Sequence, residues 1–393
     1  MTLSNGRQYL AIPGPSVVPD RVLRAMHRAS PNIYTGDLHE MTYGLLPDLK
    51  QVAGTAGDVA IYMGNGHAAW EASLNNILQE GDQVLVPVTG RFAIGWANVA
   101  RALGAEPVLV DFGMSAAADP AKIEDALRSD KAHKIKAVLA VHTDTSTSVR
   151  NDMAAIRAAI DAAGHPALLM ADCICSMGCD RFEMDAFGAD VAITASQKGL
   201  MTPPGLAFVW FNEAAAAARE TADRTTPYWD WKPRVRPPGF ADMFFGTAPT
   251  HHLYGLREAL TMIHEEGLEN VWARHATLAR AVWAAVDAWS EGGEMRLNLA
   301  NPAERSHAVT SIRMAEGDGD RLRAWTETEA GVTLGVGLGR EPASAYFRIG
   351  HMGHVNAQMV LAVLGTIDAG LKALDIPHGR GGVEAAATVI AGK

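Results

Sequence analysis

The sequence of 393 residues predicts an α/β protein with a mostly parallel, seven-stranded-type sheet flanked by helices, followed by a smaller C-terminal α/β domain. Two observations support this fold class. Short apolar runs recur between residues 82 and 212, as expected for strands that are buried on both faces. Amphipathic helical patterns alternate with these runs, which is typical of a parallel sheet covered by helices.

The elements of the larger sheet follow in order along the chain. Strands are predicted at 82–88, 106–112, 136–142, 167–173, 190–196 and 206–212, with helices at 94–104, near 120–129 and at 152–164. Polar or reactive residues stand where several of these strands end, namely at 89–92, at 143–147, at Asp172 and at Lys198. Ligands of such sheets bind outside the carboxyl ends of the strands, so this edge is the predicted site.

The second half of the chain has a different organisation. Residues 213–250 are rich in Pro, Arg and aromatic residues and predict a long excursion, which is usually functional. Two long helices are predicted from His252 and from Leu268. Strands at 308–314 and 345–350 and a helix at 357–374 then form the smaller region. These features predict an N-terminal segment (1–20), a large domain (21–255) and a small C-terminal domain (256–393).

Charge and composition exclude several classes of partner. The net charge of −10 disfavours nucleic acid and anionic membrane surfaces. The N-terminus lacks the apolar core of a signal peptide, and no apolar run approaches the roughly 20 residues of a membrane span. The sequence therefore predicts a cytoplasmic protein that binds neither nucleic acid nor membrane.

All three cysteines lie in the segment CICSMGC, at 173, 175 and 179. We interpret them as small buried hydrophobic residues in a reducing compartment, and we predict no metal site. The segment DCIC is predicted to lie in a strand, where alternation places Cys173 and Cys175 on the face opposite Asp172 and Ile174.

Glycines at 64 and 66 precede an amphipathic helix, so Asn65, Gly66 and His67 present backbone N–H groups at its positive end. Such a helix terminus binds phosphate readily, although a glycine-capped turn explains the pattern equally well. The pattern G-x-G-x-x-A also permits a nicotinamide-dependent dehydrogenase. That match is weak, because the sequence shows no clear strand before it and no correctly placed ribose-binding acid.

Two further residues indicate a specific chemistry. Asp172 ends an apolar strand, where a buried acid needs a partner such as a protonated pyridine nitrogen or, alternatively, the start of the next helix. Lys198 lies between that sheet edge and a Pro-Pro-Gly turn, and a lysine confined in a crevice can form a Schiff base with an aldehyde. With the phosphate seat, these residues describe a site for pyridoxal 5'-phosphate. Phe92 is positioned to cover the ring or to belong to the core.

Eight motifs in a common order carry a resemblance to a known family. They are IPGPSVVP, GNGHAAWEA, HTDTSTSV, ADCICSMG, SQKGLMTPPG, HHLYGLREAL, EGLENVWARH and FRIGHMG. Together they resemble the class V, fold-type I pyridoxal-phosphate aminotransferases, the alanine–glyoxylate and serine–glyoxylate group. The resemblance implies the fold-type I architecture and a homodimer with shared active sites.

The resemblance also implies the role of individual residues. Lys198 matches the Schiff-base lysine, Asp172 the partner of the pyridine nitrogen, and Arg348 the arginine that holds the substrate carboxylate. Ile174 and Phe92 match the residues on the two ring faces, and Thr145 the residue near the phenolic oxygen. The phosphate is assigned to Asn65, Gly66, His67 and Gln197, with Thr247 from the partner subunit. Tyr34 lies in the atypical segment 31–41, in a region that lines the substrate pocket of relatives.

Three departures from the family pattern bear on the substrate and on cofactor binding. Phe244 stands where many relatives have a tyrosine that helps hold the phosphate, Asn65 replaces Ser or Thr, and Ser148 replaces Gly. The predicted reaction moves an amino group from alanine, serine or aspartate to glyoxylate or pyruvate. A pyridoxamine–pyruvate aminotransferase is the alternative, since Arg340 before Arg348 resembles that enzyme. A cysteine desulfurase is excluded because no cysteine follows Cys179.

Overall fold

A computed structural model describes residues 2–392. The strands are β1 (Tyr9–Ala11), β2 (Asp58–Gly64), β3 (Gln83–Val88), β4 (Glu106–Asp111), β5 (Ile135–Val141), β6 (Leu168–Asp172), β7 (Val191–Ala195), β8 (Gly205–Phe211), β9 (Arg296–Leu297), β10 (Val309–Arg313), β11 (Val332–Val336) and β12 (Tyr346–Gly350). The α-helices are α1 (Asp20–Met26), α2 (Asp37–Tyr43), α3 (Leu45–Ala53), α4 (Gly66–Asn75), α5 (Arg91–Ala102), α6 (Pro120–Ser129), α7 (Met153–Ala162), α8 (Glu213–Ala218), α9 (Lys232–Val235), α10 (Thr250–Glu266), α11 (Leu268–Ser290), α12 (Asp318–Ala330), α13 (Ala357–Ala373) and α14 (Gly382–Ile390).

The larger sheet has seven strands in the order β2-β8-β7-β6-β5-β3-β4. The strands from β3 to β7 pair in parallel, whereas β8 runs antiparallel to both β7 and β2. The prediction of a mostly parallel sheet is therefore confirmed. Val141 of β5 pairs with Asp172 of β6, so the chain leaves neighbouring parallel strands at the same edge.

The strands predicted from apolar runs agree with the observed ones to within one residue at each end. One strand of this sheet was missed. The segment DVAIYMG forms β2, which pairs with β8 along its whole length and leads directly into Asn65 and α4. The expectation that no clear strand precedes the glycine pattern is therefore wrong.

Helices cover both faces of the larger sheet. Because successive strand residues point to opposite sides, each strand contributes side chains to two core layers. Leu85 and Val138 face one core layer, which includes residues of α3, α7 and α10. Val84 and Leu139 face the other layer, which contains Trp70 of α4 and Trp96 of α5. Within residues 2–392, no helix combines the length and the apolar character needed to cross a bilayer.

A second sheet has five strands in the order β1-β11-β12-β10-β9. Its first strand comes from the N-terminus, where Tyr9–Ala11 pairs in parallel with β11. The chain runs from the larger sheet to the smaller one through α10 and α11. The predicted domain boundary near residue 255 falls inside α10 and stays a prediction.

The segment 213–250 is the long excursion that its composition predicts. It contains only the short helices α8 and α9 and a 3-10 helix at Phe240–Phe244. Arg234 anchors it to the sheet: this buried guanidinium donates hydrogen bonds to the carbonyl oxygens of Ile61, Met243 and Tyr228. The excursion is therefore ordered against β2 by backbone acceptors.

Candidate active site

A cavity of about 220 Å³ lies at the carboxyl edge of the larger sheet, where the sequence predicts the ligand crevice. It is bounded by the first turn of α4, the start of α5 and the segments that follow β5, β6 and β7. Its walls are formed by Asn65, Gly66, His67, Trp70, Phe92, Thr143, Thr145, Asp172, Ile174, Cys175, Gln197 and Lys198. Nine of these residues were predicted from the sequence.

Lys198 lies three residues beyond β7, with its amine turned toward the N-terminal segment. Nζ donates a hydrogen bond of 2.6 Å to the carbonyl oxygen of Pro13. Gly14 packs so closely against the amine that an added Cβ would lie 2.3 Å from Nζ. Burial lowers the pKa of Lys198, because a low-dielectric environment disfavours the ammonium form. The motif IPGPS therefore positions the lysine, a role that the sequence did not reveal.

Asp172 is the last residue of β6 and is 3% exposed. Each carboxylate oxygen accepts one hydrogen bond, Oδ1 from the Ile174 backbone N–H at 2.8 Å and Oδ2 from the Trp70 indole N–H at 2.7 Å. Within residues 2–392 this acid forms no salt bridge. Burial raises its pKa to about 7, against the lowering effect of the two donors and of Lys198.

The start of α4 differs from the prediction in one respect. The Asn65 side chain caps the helix and accepts hydrogen bonds from the N–H groups of His67 and Ala68, at 3.0 and 3.4 Å. One of the backbone donors predicted to bind a phosphate, the His67 N–H, is therefore already engaged. On the opposite wall, the Oε1 atom of Gln197 is buried and has no hydrogen-bond partner among the described residues.

Phe92 lies in the first turn of α5, where Asp144 holds it. Its backbone N–H donates a 2.9 Å hydrogen bond to Asp144 Oδ2. The other oxygen, Oδ1, accepts from the backbone N–H of Ser146. Gly90 packs against this carboxylate, and an added Cβ there would lie 2.2 Å from Asp144 Cγ. Asp144 thus ties the loop after β5 to the start of α5.

Arg348 of β12 is held beside the cavity by backbone acceptors. Its Nη1 donates to the carbonyl oxygen of Thr145 at 2.8 Å, and its Nε donates to that of Val336 at 2.7 Å. The side chain is buried and forms no salt bridge within residues 2–392, and burial lowers its pKa to about 10. A buried cation without a carboxylate partner is suited to bind a carboxylate ligand.

Three predicted site residues do not line the cavity: Arg348, which lies beside it, and the exposed residues Tyr34 and Thr247. Tyr34 is 82% exposed, and Thr247 is also exposed, on the loop before α10. Phe244, at the position of the family tyrosine, is fully buried in the core, whereas its neighbour Phe245 is 52% exposed. A single chain therefore assembles the cofactor-facing part of the predicted site without Tyr34 and Thr247.

The expected orientation of the cysteines is wrong. Strand β6 ends at Asp172, so the segment after it does not alternate, and Cys175 lines the same cavity as Asp172 and Ile174. All three cysteines are free and buried. Sequence analysis also missed Trp70 as a cavity residue, and it assigned no role to Thr143 of the polar stretch 143–147. Trp70 lies one helical turn after His67, and this spacing was the only signal for it.

The family model described as Aminotransferase class-V matches residues 8–355. The chain is also 40% identical over 381 residues to the serine–glyoxylate aminotransferase of Methylorubrum extorquens, which covers 93% of each protein. The chain belongs to the class-V aminotransferases. As a member of this family the chain is an aminotransferase. The dehydrogenase that the glycine pattern permitted is therefore wrong.

This aminotransferase is also similar to two enzymes with other substrates. It is 35% identical over 379 residues to the L-aspartate–glyoxylate aminotransferase of Paracoccus denitrificans, covering 96% of this chain and 94% of that one. It superposes on the crystal structure of the pyridoxamine–pyruvate aminotransferase of Mesorhizobium loti with a TM-score of 0.90, at 25% identity and with all of both chains covered. The fold-type I architecture is thereby confirmed.

Proposed function

We propose that this aminotransferase uses pyridoxal 5'-phosphate to move an amino group from a small amino acid to glyoxylate or pyruvate. The observation that carries the proposal is the position of Lys198 and Asp172, a half-buried lysine and a buried acid on the walls of one small cavity. The names of the similar serine–glyoxylate and aspartate–glyoxylate enzymes support glyoxylate as the acceptor and serine or aspartate as the donor. Alanine is the third candidate donor.

The polar groups of the cavity fit this cofactor. The buried, unpaired Oε1 of Gln197 indicates a side-chain amide that needs a polar ligand, and its Nε2 is a suitable donor to a phosphate after rotation of the amide. The Gly66 backbone N–H would contact the phosphate at the positive end of α4, and the His67 N–H would do so once the Asn65 side chain releases it. An added Cβ at Gly66 would lie 2.4 Å from Ile174 Cδ1, so this wall has no space for a larger residue.

The residues around the ring have distinct tasks in this proposal. Phe92 and Ile174 would enclose the ring, Asp172 would pair with its nitrogen, and Thr145 would contact its phenolic oxygen. Lys198 would bind the aldehyde carbon. Pyridoxal phosphate supplies an aldehyde that exchanges amines and a ring that withdraws electrons from the adjacent carbon.

The chain itself supplies proton transfer and orientation. Burial lowers the pKa of Lys198 and so favours the neutral amine over the ammonium form. In this proposal the amine removes the α-proton of the donor and returns a proton afterwards. Arg348 binds the donor carboxylate with its guanidinium and so directs the α-proton toward Lys198. Both groups are fixed by backbone carbonyl oxygens and need little reorganisation.

The test is an absorbance titration of purified protein loaded with pyridoxal phosphate. We expect the visible band of the loaded enzyme to bleach with serine, aspartate or alanine and to return with glyoxylate or pyruvate. Lysine and phenylalanine serve as matched donors that the small cavity should reject. A protein that bleaches with none of the small donors, or equally with the large ones, would contradict the proposal.

The similarity to pyridoxamine–pyruvate aminotransferase makes that reaction the second candidate. Arg340, which suggested it, donates to the Met114 carbonyl oxygen, to Asn298 Oδ1 and to the Tyr346 hydroxyl. The guanidinium therefore has acceptors within the chain, and we favour the phosphorylated cofactor. If protein that contains no pyridoxal phosphate converts free pyridoxamine and pyruvate, that result would favour the alternative.

We also propose a homodimer in which Tyr34 and Thr247 of one chain complete the active site of the other. The support is their exposure, together with that of Phe245, a large apolar side chain on the same loop as Thr247. We expect light scattering to give twice the 41.8 kDa of one chain. A monomer that is fully active at the concentration of the scattering measurement would contradict this. The free cysteines support the cytoplasmic location, which stays a prediction.

A further inference from the structure

Trp70 connects the two ends of the candidate cofactor site. It lies on α4, one turn after His67, and its indole N–H reaches across to Oδ2 of Asp172 at 2.7 Å. The helix that carries the proposed phosphate contacts therefore also carries a donor to the proposed ring acid. Trp70 is 1% exposed, so this hydrogen bond is shielded from water.

The indole is held tightly by its neighbours. The His67 ring packs on it edge-on with a centroid distance of 4.5 Å, and the Trp96 ring is nearly parallel to it at 6.4 Å. Gly95 faces the ring edge, where an added Cβ would lie 3.0 Å from two ring carbons. Such packing leaves the indole little freedom to rotate. The direction of its N–H is consequently fixed.

We propose that Trp70 is a positioning residue for Asp172: its indole N–H fixes the plane of the carboxylate and favours the ionised form over the protonated one. The proposal rests on the proposed role of Asp172 toward the cofactor ring. The second donor, the Ile174 backbone N–H, binds the other oxygen at 2.8 Å and cannot replace the indole. With one donor on each oxygen, the carboxylate has a single preferred orientation.

The charged groups that face Asp172 are few. Asp144, in the loop after β5, raises the pKa of Asp172, and Lys198, beyond β7, lowers it. Cys173 is adjacent in sequence, and burial raises its pKa well above the usual value, so the thiol stays neutral. The pKa of His67, against the indole, is lowered by burial and by Arg91. The increase in the pKa of Asp172 caused by burial is thus opposed mainly by the two hydrogen-bond donors and Lys198.

The test compares two tryptophan variants of the full-length protein. Trp70→Phe keeps an aromatic ring and removes the donor. Trp231→Phe is the matched control, because it removes a buried indole that stacks on Phe211 and whose nitrogen has no acceptor among the described residues. Each variant is also made in an Asp172→Asn background, so that the difference between the two isolates the titration of Asp172.

The first measurement is the unfolding temperature from pH 4 to 9 without added cofactor. An acid whose folded pKa lies above its unfolded pKa loses its stabilising contribution as the pH rises through the folded value. That loss should end near pH 7 in the unmodified protein and about one to two pH units higher in Trp70→Phe. Trp231→Phe should show the same pH dependence as the unmodified protein. Coincident curves for the two variants would overturn the proposal.

The second measurement uses protein loaded with pyridoxal phosphate. We expect Trp70→Phe to lower kcat about 10-fold at pH 8 with little change in KM, and to move the pH profile of kcat in the same direction as the unfolding curve. A merely structural role would lower the amount of folded enzyme without moving this profile. If no variant binds cofactor, the proposed function fails, whereas the unfolding curves still decide the role of Trp70.

Gly95→Ala gives an independent perturbation if Trp70→Phe does not fold. The added methyl group crowds the indole edge without removing the N–H. The pKa of Asp172 is expected to rise in this variant too, by less than in Trp70→Phe. An unchanged titration in this variant, together with a displaced indole seen by tryptophan fluorescence, would overturn the proposal.

Discussion

Replacing Lys198 with alanine is expected to abolish amino transfer, with a loss in kcat/KM of at least about 10³-fold. The substitution removes the amine that is proposed to bind the aldehyde and to carry the α-proton, and no second amine lies on the cavity wall within residues 2–392. The measurement is donor-dependent consumption of glyoxylate or pyruvate. Borohydride reduction of loaded protein, followed by peptide mass analysis, should label Lys198 and nothing in the variant.

Two control variants separate chemistry from charge. Lys372→Ala removes an exposed lysine that pairs with Asp368 on α13 and should leave the rate unchanged. Lys198→Arg keeps a cation but lacks a neutral amine, so it should be as inactive as the alanine variant. Normal turnover by Lys198→Ala, or a borohydride label on another side chain, would refute the assigned role.

The location of the site was predictable because it depends on local signals. Strands buried on both faces appear as continuous apolar runs, and their ends were read to within one residue. Asp172 and Lys198 were noticeable since a charged residue directly after such a run is costly to bury without a function. Their proximity then follows from parallel pairing alone, as the carboxyl ends of β6 and β7 lie at one edge.

Long-range pairing was not predictable in the same way. Strand β1 pairs with β11, more than 300 residues later, and β2 pairs with β8 across most of the larger domain's sequence. No periodicity within a short window reports such partners. The orientation of Cys175 failed for a related reason. An alternation argument holds only while the strand lasts, and β6 ends at Asp172.

The contacts of Trp70 show a second limit of prediction from the sequence. Its spacing from His67 predicts only that both lie on one side of α4. Whether the indole N–H meets an acceptor depends on the distance between α4 and β6, which is set by the packing of both against neighbouring elements. Tyr34 and Thr247 show a third limit, since a residue that is proposed to act in a partner chain is merely exposed in its own.

Replacing Asp172 with asparagine is expected to lower kcat about 10²–10³-fold, a typical loss when one preorganised electrostatic contact at a reacting centre is removed. Asparagine has nearly the same shape but no charge, so it cannot stabilise a protonated ring nitrogen. Steady-state kinetics with the best donor provides the measurement. Asp368→Asn, which removes an acid on α13 that accepts from Lys372 and from the Trp289 indole, is the control with unchanged kcat.

The same substitution should stabilise the cofactor-free protein at pH 8. Because the folded pKa of Asp172 is about 7 and the usual value is 3.8, the folded state disfavours the ionised acid, and the resulting loss of stability between about pH 4 and pH 7 is about 4 kcal/mol. Asparagine avoids this loss but leaves one of the two donors, Trp70 or Ile174, without an acceptor, which costs about 1–3 kcal/mol. A net gain of about 1–3 kcal/mol in unfolding free energy is expected at pH 8. At pH 5 the avoided loss is only about 1.6 kcal/mol, so the net change should lie between about −1.4 and +0.6 kcal/mol. Equal differences at the two pH values would mean that Asp172 does not titrate in this range, and that its burial is matched by stronger contacts than Trp70 and Ile174 provide.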